Sequence, residues 1–185
     1  MSAAGIGSNS EPMRRDSAAA IAAAAVLARQ QDKNAVVLAL AADHVVTDTP
    51  AFVAVCREGL AAAETGSIVT FGVEPTRPAT EYGYIRPGGT VTGRVRQVAS
   101  FVEKPDATTA ATYVRDGYLW NSGNFMFRAS VLLDEYRGVD PDSIDAIRAA
   151  VAGAGRDLGF VTLDQPSFER ANPISRSEEH TSELQ

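Results

Sequence analysis

Cysteine is almost absent. Cys56 stands alone among 185 residues, so no intrachain disulfide can form, which suits a reducing compartment. Histidine is scarce too, with only His44 and His180. No second His or Cys stands at metal-site spacing from His44, which argues against zinc. No apolar run is long enough to cross a membrane. Positive charge is not in excess: the net charge is −6 and no basic patch stands out, which argues against nucleic-acid binding. The chain has no nucleophile elbow, no Cys/His pairing for acyl chemistry and no Walker-type phosphate loop. It shows no internal repeat and no interdomain linker.

What is present is the composition of one globular domain, 45% hydrophobic and 22% charged. The alanine-rich stretch 18–28 follows Arg14, Arg15 and Asp16. It lacks the leucines of a signal-peptide core, so it reads as a helix, not a targeting segment. Residues 1–10 are small, polar and aperiodic and are expected to be flexible. Residues 176–185, RSEEHTSELQ, read as the translation of a sequencing-library adapter and are set aside with His180. They carry a net −2, leaving −4 on the rest.

Along the chain, Asp16 is expected to cap a helix over 17–31. The run 35–41 reads as a strand buried on both faces, as in a parallel sheet. Thr49 as cap and Pro50 as first helical residue start a second helix, with Phe52, Val53, Cys56, Leu60 and Ala63 as its apolar stripe and Gly66 as its stop. A strand over 68–73 follows. Helix, strand, helix, strand is the pattern of a parallel α/β sheet. The spacing then predicts a loop at 74–78, a short strand at 81–86, a turn at Pro87-Gly88-Gly89 and a long strand over 93–104. Asp106 opens a helix ending at Gly117. A strand over 118–128, helices from Ser130 and from Asp140-Pro141, and a last strand at 160–163 complete the chain.

Four clusters carry candidate chemistry. Glu11, Pro12, Arg15, Asp16 and Ser17 precede the alanine helix and could read a purine edge at a helix start; ordinary helix capping is the competing reading. Asp43 follows the first strand, where α/β sheets bind their ligands. It suits an oxygen-only Mg²⁺ site, or is a surface turn. Glu103 and Lys104 close the long strand. Alternation sets them on opposite faces, yet Lys is long enough for both heads to reach one ligand, with Glu accepting from sugar hydroxyls and Lys holding phosphate. The alternative is a solvated pair. Trp120-Asn121-Ser122-Gly123-Asn124 suits sugar recognition, because an amide donates and accepts at once, or is a turn with a core Trp. Tyr82-Gly83-Tyr84 is of similar character, a bulge or a close-approach site.

In this order and spacing the clusters resemble the mannose-1-phosphate guanylyltransferases of bacterial polysaccharide synthesis, members of the sugar-phosphate nucleotidyltransferases. The match runs over 11–175. EPMRRDSAAA stands for the family's EP-x-x-R-N-T-A-P-A, with Asp16, Ser17 and Ala19 departing from it. Ala41-Ala42-Asp43-His44 stands for P-A-D-H. Residues 70–85 follow T-F-G-I-x-P-T-x-P-x-T-x-Y-G-Y-I almost unbroken. FVEKPD at 101–106 is unchanged, and residues 120–130 carry W-N-S-G-x-F-x-F-R-A-S.

The resemblance implies an α/β fold: a Rossmann-like three-layer nucleotidyltransferase domain of glycosyltransferase-A type with a mostly parallel mixed sheet, truncated at both ends. It implies transfer of GMP from GTP to mannose 1-phosphate in the cytoplasm, giving GDP-mannose and pyrophosphate. Glu11, Pro12, Arg15, Asp16 and Ser17 would hold the nucleotide and Asp43 the Mg²⁺. Tyr82, Gly83, Glu103 and Asn121 would hold the sugar, and Lys104 its phosphate; Asp43 and Lys104 would serve catalysis. No nucleic-acid or membrane partner is implied; a homo-oligomer of the full-length parent is compatible with it. The family's opening G-G-x-G-x-R-L-W-P is missing, as is its part beyond Ser175, so the chain reads as an internal fragment that is itself not expected to turn over. A nucleotidyltransferase for another sugar phosphate or base, and a non-catalytic sugar-nucleotide-binding module, are the other readings. TTP against GTP competition separates the first. Mg²⁺-independent GDP-mannose binding marks the second.

Overall fold

The computed structural model describes residues 2–5, 15–42, 44–157 and 160–171. The elements run β1 (Ser2–Gly5), α1 (Arg15–Gln31), β2 (Val36–Ala39), α2 (Thr49–Glu64), β3 (Val69–Val73), β4 (Tyr84–Thr92), β5 (Val95–Val102), α3 (Ala107–Arg115), β6 (Leu119–Arg128), α4 (Ala129–Val139), α5 (Pro141–Ala152), β7 (Gly155–Asp157), β8 (Phe160–Thr162) and α6 (Gln165–Phe168).

Local signals place most helix ends. Asp48 accepts from the Ala51 N–H at 3.0 Å, Asp106 from Thr109 at 2.9 Å and Asp140 from Ser143 at 3.0 Å, each satisfying a first-turn donor that has no partner within its helix. Gly66, at φ 95°, ends α2: its N–H bonds to the Ala63 carbonyl and that of Ser67 to Ala62. Two expected caps are corrected. Asp16 lies inside α1, which starts at Arg15, and Thr49 is the first residue of α2, whose cap is Asp48.

Six strands form one sheet in the order β2-β6-β3-β1-β5-β4, which curls until β4 also pairs with β6. The sheet is mixed, as expected, but not mostly parallel: antiparallel pairings predominate among those described. β6 lies between β2 and β3 and runs antiparallel to both, so these two strands share a direction without touching. Only β1 with β5 is parallel among the described pairings. Among the described residues β2 pairs on one side only; it is half-buried, not sealed on both faces, and Leu38 is exposed. Residues 2–5, expected among the flexible ones, are the strand between β3 and β5. The expected turn at Pro87-Gly88-Gly89 lies inside β4, where register shifts absorb it, and the hairpin turns at Gly93, φ 51°. The last strand, β8, pairs with β7 in a separate ribbon.

Alternation along β6 divides the core. Phe125 and Phe127 pack under α1, α4 and α5 with Val26, Leu133 and Ile147, whereas Met126 faces α2 with Val55, Val69 and Phe71. Helices on both faces of the sheet give three layers. α2 buries Val55, Gly59, Ala62 and Ala63, while Val53 and Leu60 from the expected stripe are exposed.

Candidate active site

The site forms where β3 and β5 end and β4 and β6 begin. Trp120 pairs with Val73 on one side and with Tyr84 on the other, and Tyr84 pairs with Val102. Four of the expected sugar residues flank these positions.

β6 is bulged here. Asn121 and Phe125 pair with Gly72 and Thr70, so β6 carries two more residues than β3 across the same interval, and Gly123 takes φ 71° to accommodate them. The bulge fixes two amides. Asn121 Oδ1 accepts from the Gly123 N–H at 3.1 Å and faces the Thr70 hydroxyl at 3.2 Å. A backbone N–H can only donate, so the orientation of the amide is determined, and Nδ2 has no acceptor among the described residues. Asn124 is buried, and its Oδ1 accepts from the Ala41 N–H at 2.8 Å, which ties the segment after β2 to this bulge. Asn124 belongs to the cluster 120–124 read from the sequence, whereas Thr70 is a residue the sequence reading does not single out. A lone hydroxyl in the apolar strand 68–73 was the available signal for Thr70.

Gly83 joins the second pair of residues. Its carbonyl accepts from the Asn121 N–H at 2.8 Å. A β-carbon on Gly83 would stand 2.7 Å from Glu103 Oε2 and 3.7 Å from Asn121 Cβ, so the missing side chain is what lets the carboxylate lie over this point. Lys104 follows, exposed, at φ 41°, the single non-glycine with positive φ among the described residues. It precedes Pro105, and backbone strain of this kind clusters at ligand sites. The structure thus brings Tyr82, Gly83, Glu103, Lys104 and Asn121 to one edge.

Tyr82 meets Trp120 edge-on, with ring centroids 5.0 Å apart. The Arg77 guanidinium lies 5.9 Å from the Tyr82 centroid and 6.0 Å from that of Trp120, and it is bonded to the Glu81 carboxylate. That hydrogen bond holds Glu81 below the usual carboxylate range and raises Arg77. Trp120 Nε1 is buried without a partner among the described residues.

Glu11, Pro12, Asp43 and the stretch 176–185 lie outside the described residues. Arg15, Asp16 and Ser17 fall in the first turn of α1. Among the described residues no group of three or more His, Cys, Asp or Glu side chains converges as a metal site would. Cys56 is half-buried on α2, and burial pushes its thiol up, away from nucleophilic use.

Residues 4–165 match the family model described as nucleotidyl transferase. The chain belongs to the nucleotidyl transferase family. The match begins inside β1, seven residues before the stretch expected from the sequence motifs. Among relatives of this nucleotidyl transferase chain, the mannose-1-phosphate guanylyltransferase of Escherichia coli (strain K12) is 44% identical over 165 residues, 85% of this chain and 34% of that protein. The xanthan biosynthesis protein XanB of Xanthomonas campestris pv. campestris is 46% identical over 159 residues, with the same coverage. The chain therefore spans about a third of the length of these relatives. A solved structure from Thermus thermophilus, named mannose-1-phosphate geranyltransferase, superposes with TM-score 0.67 at 39% identity, over 78% of this chain and 43% of that one. One from Helicobacter pylori, named mannose-6-phosphate isomerase, gives 0.71 at 27%, over 86% and 61%. The Rossmann-like α/β class expected from the sequence is that of these neighbours. No helix among the described residues is long and apolar enough to cross a membrane.

Proposed function

We propose that this chain carries the sugar-phosphate half of a mannose-1-phosphate guanylyltransferase acting in the cytoplasm. The observation that supports it is the meeting of Gly83, Glu103 and Asn121 at one edge, in a chain whose relatives bear that name. In this reading Glu103 accepts from the sugar hydroxyls, and Asn121 Nδ2 donates to a sugar oxygen. Lys104 places a point charge on the phosphate. Glu11, Pro12, Arg15, Asp16 and Ser17 hold GTP at the start of α1, where helix N–H groups favour anions.

The reaction is attack by a phosphate oxygen of mannose 1-phosphate on the α-phosphorus of GTP. The new P–O bond gives GDP-mannose, and the bond to the β-phosphate breaks to release pyrophosphate. Alignment and charge neutralisation carry such a transfer, so no protein nucleophile is needed. Glu103 is the carboxylate the structure places at this edge, and Asp43 is read from the sequence as a further oxygen donor. That chemistry fits Mg²⁺, which Asp43 would hold and which would neutralise phosphate charge when bound.

Calorimetric titration of the purified chain tests the reading. Mannose 1-phosphate is expected to bind saturably and more tightly than glucose 1-phosphate. Equal affinity for both sugars, or none for either, overturns the assignment of the acceptor. GDP-mannose binding that ignores added Mg²⁺ and EDTA points instead to a binding module.

A further inference from the structure

Arg77 occupies a position that the motif at 70–85 leaves open, yet in space it is central to the loop beside Gly83. Two side-chain ties hold residues 74–83, beside the backbone bond from Asn121 to Gly83. The buried Tyr84 donates its hydroxyl to the Ala79 carbonyl at 2.9 Å, and Ala79 is itself buried. The second tie is Arg77. One guanidinium serves Glu81 by a hydrogen bond and lies within cation–π reach of both Tyr82 and Trp120. Arg77 and Glu81 are about half exposed, at 55% and 49%, so their ion pair alone is screened by water. Tyr82 is 42% exposed and owes its place chiefly to Trp120 and to this cation. The residue after Tyr82 is Gly83, whose carbonyl and missing side chain set the approach of Asn121 and Glu103.

We propose that Arg77 is a positioning residue, a cationic latch that holds Tyr82 against Trp120 and so fixes Gly83 over the sugar-binding edge. A guanidinium spreads its charge over a plane that can face two rings while it bonds a carboxylate, whereas an ammonium concentrates its charge at one point. The latch acts through Tyr82 and need not touch substrate. Its effect on mannose 1-phosphate rests on the function proposed above; its effect on Trp120 does not.

Trp120 is the sole tryptophan, so its emission reports on this edge alone. The intact chain and its Arg77→Ala, Arg77→Lys and Glu81→Gln variants are compared by acrylamide quenching without ligand, and by calorimetry with mannose 1-phosphate. Circular dichroism checks folding. Arg77→Ala is expected to expose Trp120 to quencher and to weaken mannose 1-phosphate binding roughly five- to tenfold. Arg77→Lys falls between Ala and the parent chain, and Glu81→Gln keeps the cation beside the rings and moves Trp120 least. Unchanged quenching in Arg77→Ala overturns the latch. Equal restoration of quenching and affinity by Arg77→Lys overturns the argument from the planar guanidinium. If quenching changes as expected while the parent chain binds no mannose 1-phosphate, the latch stands and the assignment of the sugar fails.

Discussion

Gly83 and Glu103 share a space that holds one side chain only: a β-carbon on the glycine would sit 2.7 Å from the carboxylate oxygen. The atom in the way is the far end of a flexible side chain, so Gly83→Ala displaces Glu103 without disturbing the backbone. Gly83 has no positive φ to forbid the change. The substitution is expected to alter stability by less than about 0.5 kcal/mol, because Gly83 is only half-buried and the atom in the way can move aside. Mannose 1-phosphate binding should weaken by about tenfold, or about 1.4 kcal/mol. Thermal unfolding and calorimetry on one preparation separate the two effects. A large fall in Tm with unchanged affinity contradicts the arrangement.

The strain at Lys104 gives a reversed order of substitutions. An L-residue at φ 41° carries about 1–2 kcal/mol of steric cost that glycine escapes. Glycine ordinarily destabilises relative to alanine through the entropy of the unfolded chain, by roughly 0.4–1 kcal/mol. Here Lys104→Gly is expected to match or exceed Lys104→Ala in urea unfolding, and Lys104→Val to be the weakest of the three. Both Gly and Ala variants lose the phosphate charge and should bind mannose 1-phosphate equally poorly. Alanine more stable than glycine by the ordinary margin rules out the strained backbone.

How much of this edge is legible in the sequence depends on the range of the interactions. Asp106 and Asp140 read correctly as helix starts because a cap is settled within three residues. The insertion of β6 between β2 and β3 is not legible, since it depends on pairings between residues some 50 to 90 positions apart. The stripe of α2 misleads for another reason. Alanine and glycine give little apolar contrast, yet Gly59, Ala62 and Ala63 are what α2 buries beside Val55. Pro87 reads as a turn by composition, but in β4 the register shift beside it removes the need for its missing donor. At the site, Glu103, Asn121, Gly83 and Tyr82 can all be named from local chemistry. Arg77 cannot, because its meaning comes from Trp120, which is remote in sequence.

Asn124→Ala tests the tie between the bulge and the segment after β2. The change strips the Ala41 N–H, which is partly buried, of its acceptor at 2.8 Å. Leaving such a donor unsatisfied costs about 1–3 kcal/mol. For a chain of this length that corresponds to a fall in Tm of roughly 2–4 °C per kcal/mol. Hydrogen exchange is the sharper measurement. The Ala41 amide is expected to lose its protection while those of β3 keep theirs. Equal loss across the sheet shows that Asn124 supports the whole core and not this junction.

Acid sensitivity follows from the helix caps. Asp106 accepts from both the N–H and the hydroxyl of Thr109, at 2.9 Å each, and these bonds hold its carboxyl below the usual range. Asp164 is lowered in the same way by Ser167. A group whose pKa is lower when folded stabilises the fold above its unfolded value and loses that contribution as pH falls through the folded one. Stability is therefore expected to be level from neutral pH down to about 5 with respect to these groups, and to fall below about 4, the range of free aspartate. Asp106→Asn keeps an oxygen that can cap α3 but removes the titration. Its urea midpoint should be close to that of the parent chain at pH 7, with a shallower decline between about pH 4 and 2.5. Parallel declines for the two proteins would show that the cap carboxylate at Asp106 does not contribute to acid unfolding.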